Sequence, residues 1–231
     1  MLTSIKETAR GDVQVCAWQD SDDPTRSDYP LDPIVRYGVG RRTRHLSDLW
    51  NRAWTLADGS IGMLAGDDMI FRTPGWDQRV AAAFRRVPDR VLMVYTKDGT
   101  RRQAPVHPFV SRAWIDIAGF TPTNYPGWFA DEWIWSIAAE LGRVSFLGRD
   151  LIQHNQTLGS DQTYLDAAEA RQWAGGVDGL RTYFYSAGQV AARDRLVALL
   201  RGEMTSDLEL VPPGPPRWYT ESLAWAKENR R

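Results

Sequence analysis

The sequence predicts an α/β layered fold: a three-layer sandwich about a mainly parallel central sheet, with a helical C-terminal extension. Two observations predict it. Helix-like and strand-like segments alternate through the first two-thirds of the chain, and the strand-like ones are short continuous apolar runs of the kind buried on both faces. The last third then changes character, with "SDQTYLDAAEARQWAGG" and "GQVAARDRLVALLRGEM" both reading as helices.

Taken in order, residues 2–10, "LTSIKETAR", read as a helix stopped by Gly11. "DVQVCAW" alternates and is rich in valine, as a strand is, and runs into the acidic turn "QDSDDPTRSDYPLDP". "SDLWNRAWTLADG" sets Leu49, Ala53, Trp54 and Ala57 at helical spacing. Ser47 or Asp48 can cap this helix, and Gly59 follows its end. A strand from Ile61 to Ala65, a short helix "WDQRVAAAFRRVP" and a strand "RVLMVYT" come next. "DEWIWSIAAELG" is a helix ending at Gly142, and "RVSFLG" is a further strand. A proline-rich linker, "VPPGPP", precedes a terminal helix, "TESLAWAKENRR", suited to docking on the body or on a second subunit. The expected division is a catalytic or binding unit over 1–158, a helical extension over 159–210, and a linker with docking helix over 211–231.

The 231 residues suffice for one large domain with a substantial core. Formal net charge is −1, so no global field favours nucleic acid or an anionic membrane. The single cysteine, Cys16, excludes an intramolecular disulfide and a cysteine-based zinc site. Its apolar setting, "VQVCAW", points to a buried, inert thiol. No apolar run approaches the roughly 18 residues of a membrane span, and no secretory pattern opens the chain, so the cytoplasm is the expected location. Eleven tryptophans are an excess that fits cores and also sugar or base stacking.

Two acidic clusters follow predicted strands: Asp20, Asp22 and Asp23 after the first, Asp67 and Asp68 after the strand at 61–65. In parallel α/β sheets the carboxyl ends of the strands carry ligand sites. Adjacent carboxylates repel unless a cation or donors compensate them, and a hard divalent ion bridging to phosphate does so. Asp-rich turns also occur for purely local reasons, because aspartate nucleates turns and caps helices. His107, in "APVHPF", reads as a loop histidine.

The order "DSDDP", "LSDLWNRAWTLADGSIGMLAGDDMIFRTPGWD", "HPFVSRAWIDIAGF", "WFADEWIW", "FLGRDLIQHN" resembles family-2-type glycosyltransferases of the GT-A fold, most of all the small bacterial and phage forms. The resemblance spans about residues 2–155. It implies that Asp22 and Asp23 contact the base and ribose of a nucleotide and that Arg44 lies near the nucleotide or its phosphates. Asp67 and Asp68 match a DxD-like metal element, with Asp68 the direct ligand, and His154 matches a histidine that completes the metal site in some members. Asp131 and Glu132 match an acidic pair near the acceptor, one of them the general base of inverting members. Read from the residues alone, that pair serves equally as N-terminal charges on a helix. Trp128 and Trp133 flank it as a stacking wall for a sugar or as core. The chain departs from the family at its start: a helix opens it where the family has a strand that is central in its sheet. The absence of that strand would leave two neighbours with unpaired ladders unless another segment fills the gap.

The expected activity is transfer of a sugar from a nucleotide-diphosphate sugar, with Mn²⁺ or Mg²⁺, to a protein, glycan or modified nucleic acid acceptor. A homo-oligomer formed through the terminal helix is a further expectation. The alternative is a catalytically inactive GT-A-like interaction module, which the missing strand favours and the intact acidic motifs disfavour. A nucleotidyltransferase would share the metal chemistry, but it usually carries a glycine-rich phosphate loop with a basic residue near the N-terminus, and this sequence shows none.

Overall fold

A computed structural model of the chain describes residues 1–43, 46–98, 106–121, 130–148, 151–154 and 185–203, with five single positions between 165 and 182. Arg44, Trp128, nearly all of the predicted helix at 160–176, the proline-rich linker and the terminal helix lie outside the described residues.

The elements run α1 (Leu2–Thr8), β1 (Val15–Asp20), β2 (Val35–Gly40), α2 (Leu46–Trp54), β3 (Ile61–Met63), β4 (Met69–Phe71), α3 (Trp76–Arg85) and β5 (Met93–Tyr95). They continue with β6 (Phe109–Ser111), α4 (Arg112–Ala118), α5 (Ala130–Glu140), β7 (Val144–Phe146), β8 (Ile152–His154) and α6 (Ala187–Leu200). The fold is α/β, as the alternation predicts. The mainly parallel central sheet is corrected: the sheets are mixed. A four-stranded sheet runs β3-β6-β5-β7, in which β5 pairs β7 in parallel while β6 is antiparallel to both its neighbours. β1 and β2 form a separate parallel pair, and β4 and β8 a separate antiparallel pair. Continuous apolar runs report burial on both faces, which a mixed sheet between helices satisfies as well as a parallel one does.

Side-chain alternation puts the four-stranded sheet between two cores. Met93 of β5 and Val110 of β6 point to one, with Trp114 and Ile115 of α4, Trp133, Ile134 and Ile137 of α5, and Ala192, Leu196 and Val197 of α6. Val94 and Phe109, the next residues on the same strands, point to the other, with Ile5 of α1, Trp76, Val80 and Phe84 of α3, and the β4–β8 pair. The helix of the predicted extension thus belongs to the first core and is packed on α4 and α5. Trp133 is 3% exposed, so of its two readings the core one holds.

Local chemistry fixes the helix ends. Ser111 Oγ accepts the Trp114 N–H and caps α4, which Gly119 ends at φ 75°. The Asp77 carboxylate in the first turn of α3 accepts the N–H groups of Arg10 and Gly11 at 3.0 and 2.7 Å, which ties the end of α1 to α3. On the β1–β2 pair, the Trp18 indole lies flat against Gly38 and Gly40. A Cβ at either would sit 2.5 or 2.6 Å from the ring, so the two glycines, both on one face of β2, make its floor. Cys16 on β1 is half-buried instead of fully buried. Burial still raises its thiol above the usual value, partly offset by Arg36, in keeping with an inert role. No helix among the described residues is long and apolar enough to cross a membrane.

Candidate metal centre

The antiparallel run of β6 between β3 and β5 brings the end of β3, the end of β5 and the segment entering β6 to one edge of the sheet. The β4–β8 pair closes over the same edge, with Met69 opposite His154. Asp68 directly precedes Met69. Asp98 follows β5, and its backbone carbonyl accepts the His154 N–H at 2.7 Å. His107 leads into β6 through Pro108. Four side chains from four separate stretches therefore meet: His154 Nε2 lies 3.0 Å from Asp68 Oδ2, His154 Nδ1 lies 3.5 Å from Asp98 Oδ2, and His107 Nε2 lies 3.4 Å from His154 Nδ1.

The local reason for His107 is a gap in the β3–β6 ladder. Leu64 N–H donates to the Pro108 carbonyl, but proline has no N–H to return to the Leu64 carbonyl. His107 Nδ1 supplies that bond at 3.1 Å. The backbone turns through the left-handed region to allow it, at φ 56°, a conformation that costs a non-glycine residue of order 1 kcal/mol and that concentrates at functional sites. Burial, and then the neighbouring His154, push the His107 pKa down to about 4, against smaller opposing effects of the Leu64 carbonyl, Asp98 and Asp68.

The sequence-predicted residues separate into groups. Asp68 and His154 are in direct contact, and His154 is the last residue of β8. Asp67 is exposed; its charge and that of Asp23 both help to raise the Tyr29 phenol, after burial, so the two acidic clusters face common ground. Arg42 Nε reaches both carboxylate oxygens of Asp22, at 3.0 and 3.1 Å. Asp23 accepts the backbone and hydroxyl hydrogens of Thr25, both at 2.8 Å, which holds its carboxyl below the usual range, and Tyr29 adds a bond at 3.3 Å. Asp131 and Glu132 open α5, half-buried, with the Glu132 N–H on Asp131 Oδ1 at 3.0 Å.

His107 is a loop residue as read, in a bend ahead of β6, and its ring also meets His154 in the cluster. Asp98 was missed altogether. The signal for His107 was the histidine placed just ahead of a proline at the mouth of an apolar run. For Asp98 a carboxylate at the end of the strong strand "RVLMVYT" was the only cue.

Asp98, His107 and His154 offer ligand atoms that all lie within 4.8 Å of one another. Two imidazoles with carboxylate suit Mn²⁺ or Zn²⁺ better than Mg²⁺, which prefers oxygen alone. Gly66 guards the geometry, because a Cβ there would meet Asp68 Oδ1 at 2.7 Å. Gly66→Ala is therefore expected to push the Asp68 carboxylate off His154 while changing folding stability by only about 0.5 kcal/mol, since the atom displaced is the end of a side chain. Imidazole ¹⁵N shifts of His154, read beside a urea melt, check both halves of this expectation.

No protein-family model matches the chain, and no curated protein matches it.

Proposed function

We propose that the protein is a metal-dependent glycosyltransferase that moves a sugar from a nucleotide-diphosphate sugar to an acceptor hydroxyl. The observation that carries this reading is the 3.0 Å contact between Asp68 and His154. These two residues lie far apart in the chain, and the resemblance to GT-A enzymes pairs them at a metal. Their meeting at the sheet edge where β3 and β5 end supports that pairing. So does the nearness of the acidic turn, which would face the nucleotide through Asp22 and Asp23, with Asp67 beside the metal end; for Arg44 a role at the phosphates rests on the resemblance alone.

A divalent metal there would neutralise the charge that develops on the diphosphate leaving group. Asp131 or Glu132, at the start of α5, would take the proton of the attacking hydroxyl. Protein, glycan and modified nucleic acid all carry suitable hydroxyls.

One observation favours the second reading, an inactive GT-A-like interaction module. The carboxylates of Asp22 and Asp23 are already engaged by Arg42, Thr25 and Tyr29 within their own turn and its neighbour.

Thermal unfolding with UDP, GDP, CDP and dTDP, each with and without Mn²⁺, decides between the two. A nucleotide held at a hundred times its dissociation constant stabilises by about 2.7 kcal/mol. Glycosyl transfer predicts a manganese-dependent shift with one base. Asp68→Ala is expected to shrink it sharply, and Asp131→Ala to keep it while losing transfer. No shift with any nucleotide would leave the interaction module as the better reading.

A further inference from the structure

We infer that Asp98, His107 and His154 form a three-ligand site for a borderline divalent metal, complete without nucleotide, in which Asp68 is a positioning residue acting through His154 and not a ligand.

The inference stands on the partners that the geometry gives each ring nitrogen. A backbone carbonyl only accepts, so the 3.1 Å contact from His107 Nδ1 to the Leu64 carbonyl places a proton on Nδ1 and leaves the lone pair on Nε2. An ionised carboxylate only accepts, so the 3.0 Å contact between His154 Nε2 and Asp68 Oδ2 places a proton on Nε2; with the ring neutral, as a metal ligand is, the lone pair is on Nδ1. In these neutral tautomers the two lone pairs face each other at 3.4 Å, with Asp98 Oδ2 3.5 Å from one of them. Two ring nitrogens and a carboxylate oxygen gathered in this way form a donor set that a divalent cation fits.

The two spacings from His154 Nδ1, 3.4 Å to His107 and 3.5 Å to Asp98, match a metal's ligand shell. Two ligand atoms each about 2.1 Å from a tetrahedral ion are about 3.4 Å apart. Each histidine also carries the outer partner that metal-bound imidazoles usually have: a backbone carbonyl for His107 and a carboxylate for His154. Two nitrogens and one oxygen select Zn²⁺, Co²⁺ or Mn²⁺ over Mg²⁺ or Ca²⁺, and three protein ligands leave a position open for water or a substrate oxygen. One arrangement that does without a metal is an imidazolium at His154, with one N–H on Asp68 and the other turned towards Asp98 and His107.

Titration of the chelator-treated protein with Co²⁺ alone, followed by its visible absorption, separates the two. No nucleotide is present, so the result stands apart from the fate of the glycosyl-transfer reading. We expect one Co²⁺ per chain, a spectrum of low coordination number with nitrogen ligands, and no displacement by excess Mg²⁺. His107→Gln and Asp98→Asn each lose affinity by more than a hundredfold, with circular dichroism showing that the variants remain folded. Asp68→Asn keeps the spectrum and loses about 10–100-fold, the usual effect of an outer partner. If either ligand variant does not fold, the wild-type titration and the Asp68→Asn spectrum still decide the matter. The inference is overturned if the folded wild-type protein binds no Co²⁺, which selects a metal-free arrangement. It is equally overturned if His107→Gln binds as the wild type does while Asp68→Asn does not bind.

Discussion

Trp114→Ala lowers the free energy of unfolding by about 3–5 kcal/mol, the cost of emptying a large aromatic site in a core that relaxes only in part. Trp114 is 1% exposed and lies where α4, α5, α6 and the four-stranded sheet meet. It shares that core with Met93 of β5, Trp133 and Ile134 of α5 and Leu196 of α6, so no single element can move in to close the void. Domains of this size hold about 5–15 kcal/mol in total, so this one truncation removes a large share. Urea unfolding checks it, with the midpoint falling and the slope unchanged if the native state stays compact. A loss below about 1 kcal/mol would mean that α4, α5 and α6 are not packed on the sheet as described.

His154→Ala is expected to remove metal binding by the protein alone and, with it, any metal-dependent nucleotide shift. The imidazole is the hub of the cluster, in contact with Asp68, Asp98 and His107. Loss of a direct nitrogen ligand reduces affinity by at least a hundredfold, about 3 kcal/mol. The fold should persist, because the bond that anchors this residue is its backbone N–H on the Asp98 carbonyl, and the pairing of β8 with β4 is also backbone. Calorimetric titration with Zn²⁺, beside a thermal melt of the metal-free variant, reads the two effects separately. Retained affinity in a folded variant would show that His154 is not part of the metal site.

The helices were legible because their information is local. Leu49, Ala53 and Trp54 recur at helical spacing, Gly142 marks a helix end, α1 and α3 fall within the segments read for them, and α2, α5 and α6 each begin one residue ahead of theirs. The short strands β2, β4, β6 and β8 escaped because three to six residues carry no reliable periodicity, and "MIF" or "IQH" acquires strand structure only from its partner. Half of the candidate site was legible for a related reason. Asp68 stands out in a doubled carboxylate, and His154 follows an apolar pair. Asp98 and His107 are ordinary residues in ordinary loops until the antiparallel insertion of β6 places them side by side.

The sequence by itself determined the α/β class, the positions of α1, α2, α3, α5 and α6 though not of the seven-residue α4, the apolar runs that become the sheet, and the acidic residues available for chemistry. These follow from the burial preferences and backbone propensities of each stretch, which act over a few residues. Only the tertiary structure decided the direction of strand pairing, the split into three sheets, and the convergence of Asp68, Asp98, His107 and His154. Even the two histidines of the cluster are 47 residues apart. A pairing direction depends on which distant edge supplies the hydrogen bonds, and the His107 tautomer depends on a proline that leaves the carbonyl of Leu64, on another strand, without an N–H. Neither is encoded within the reach of one segment.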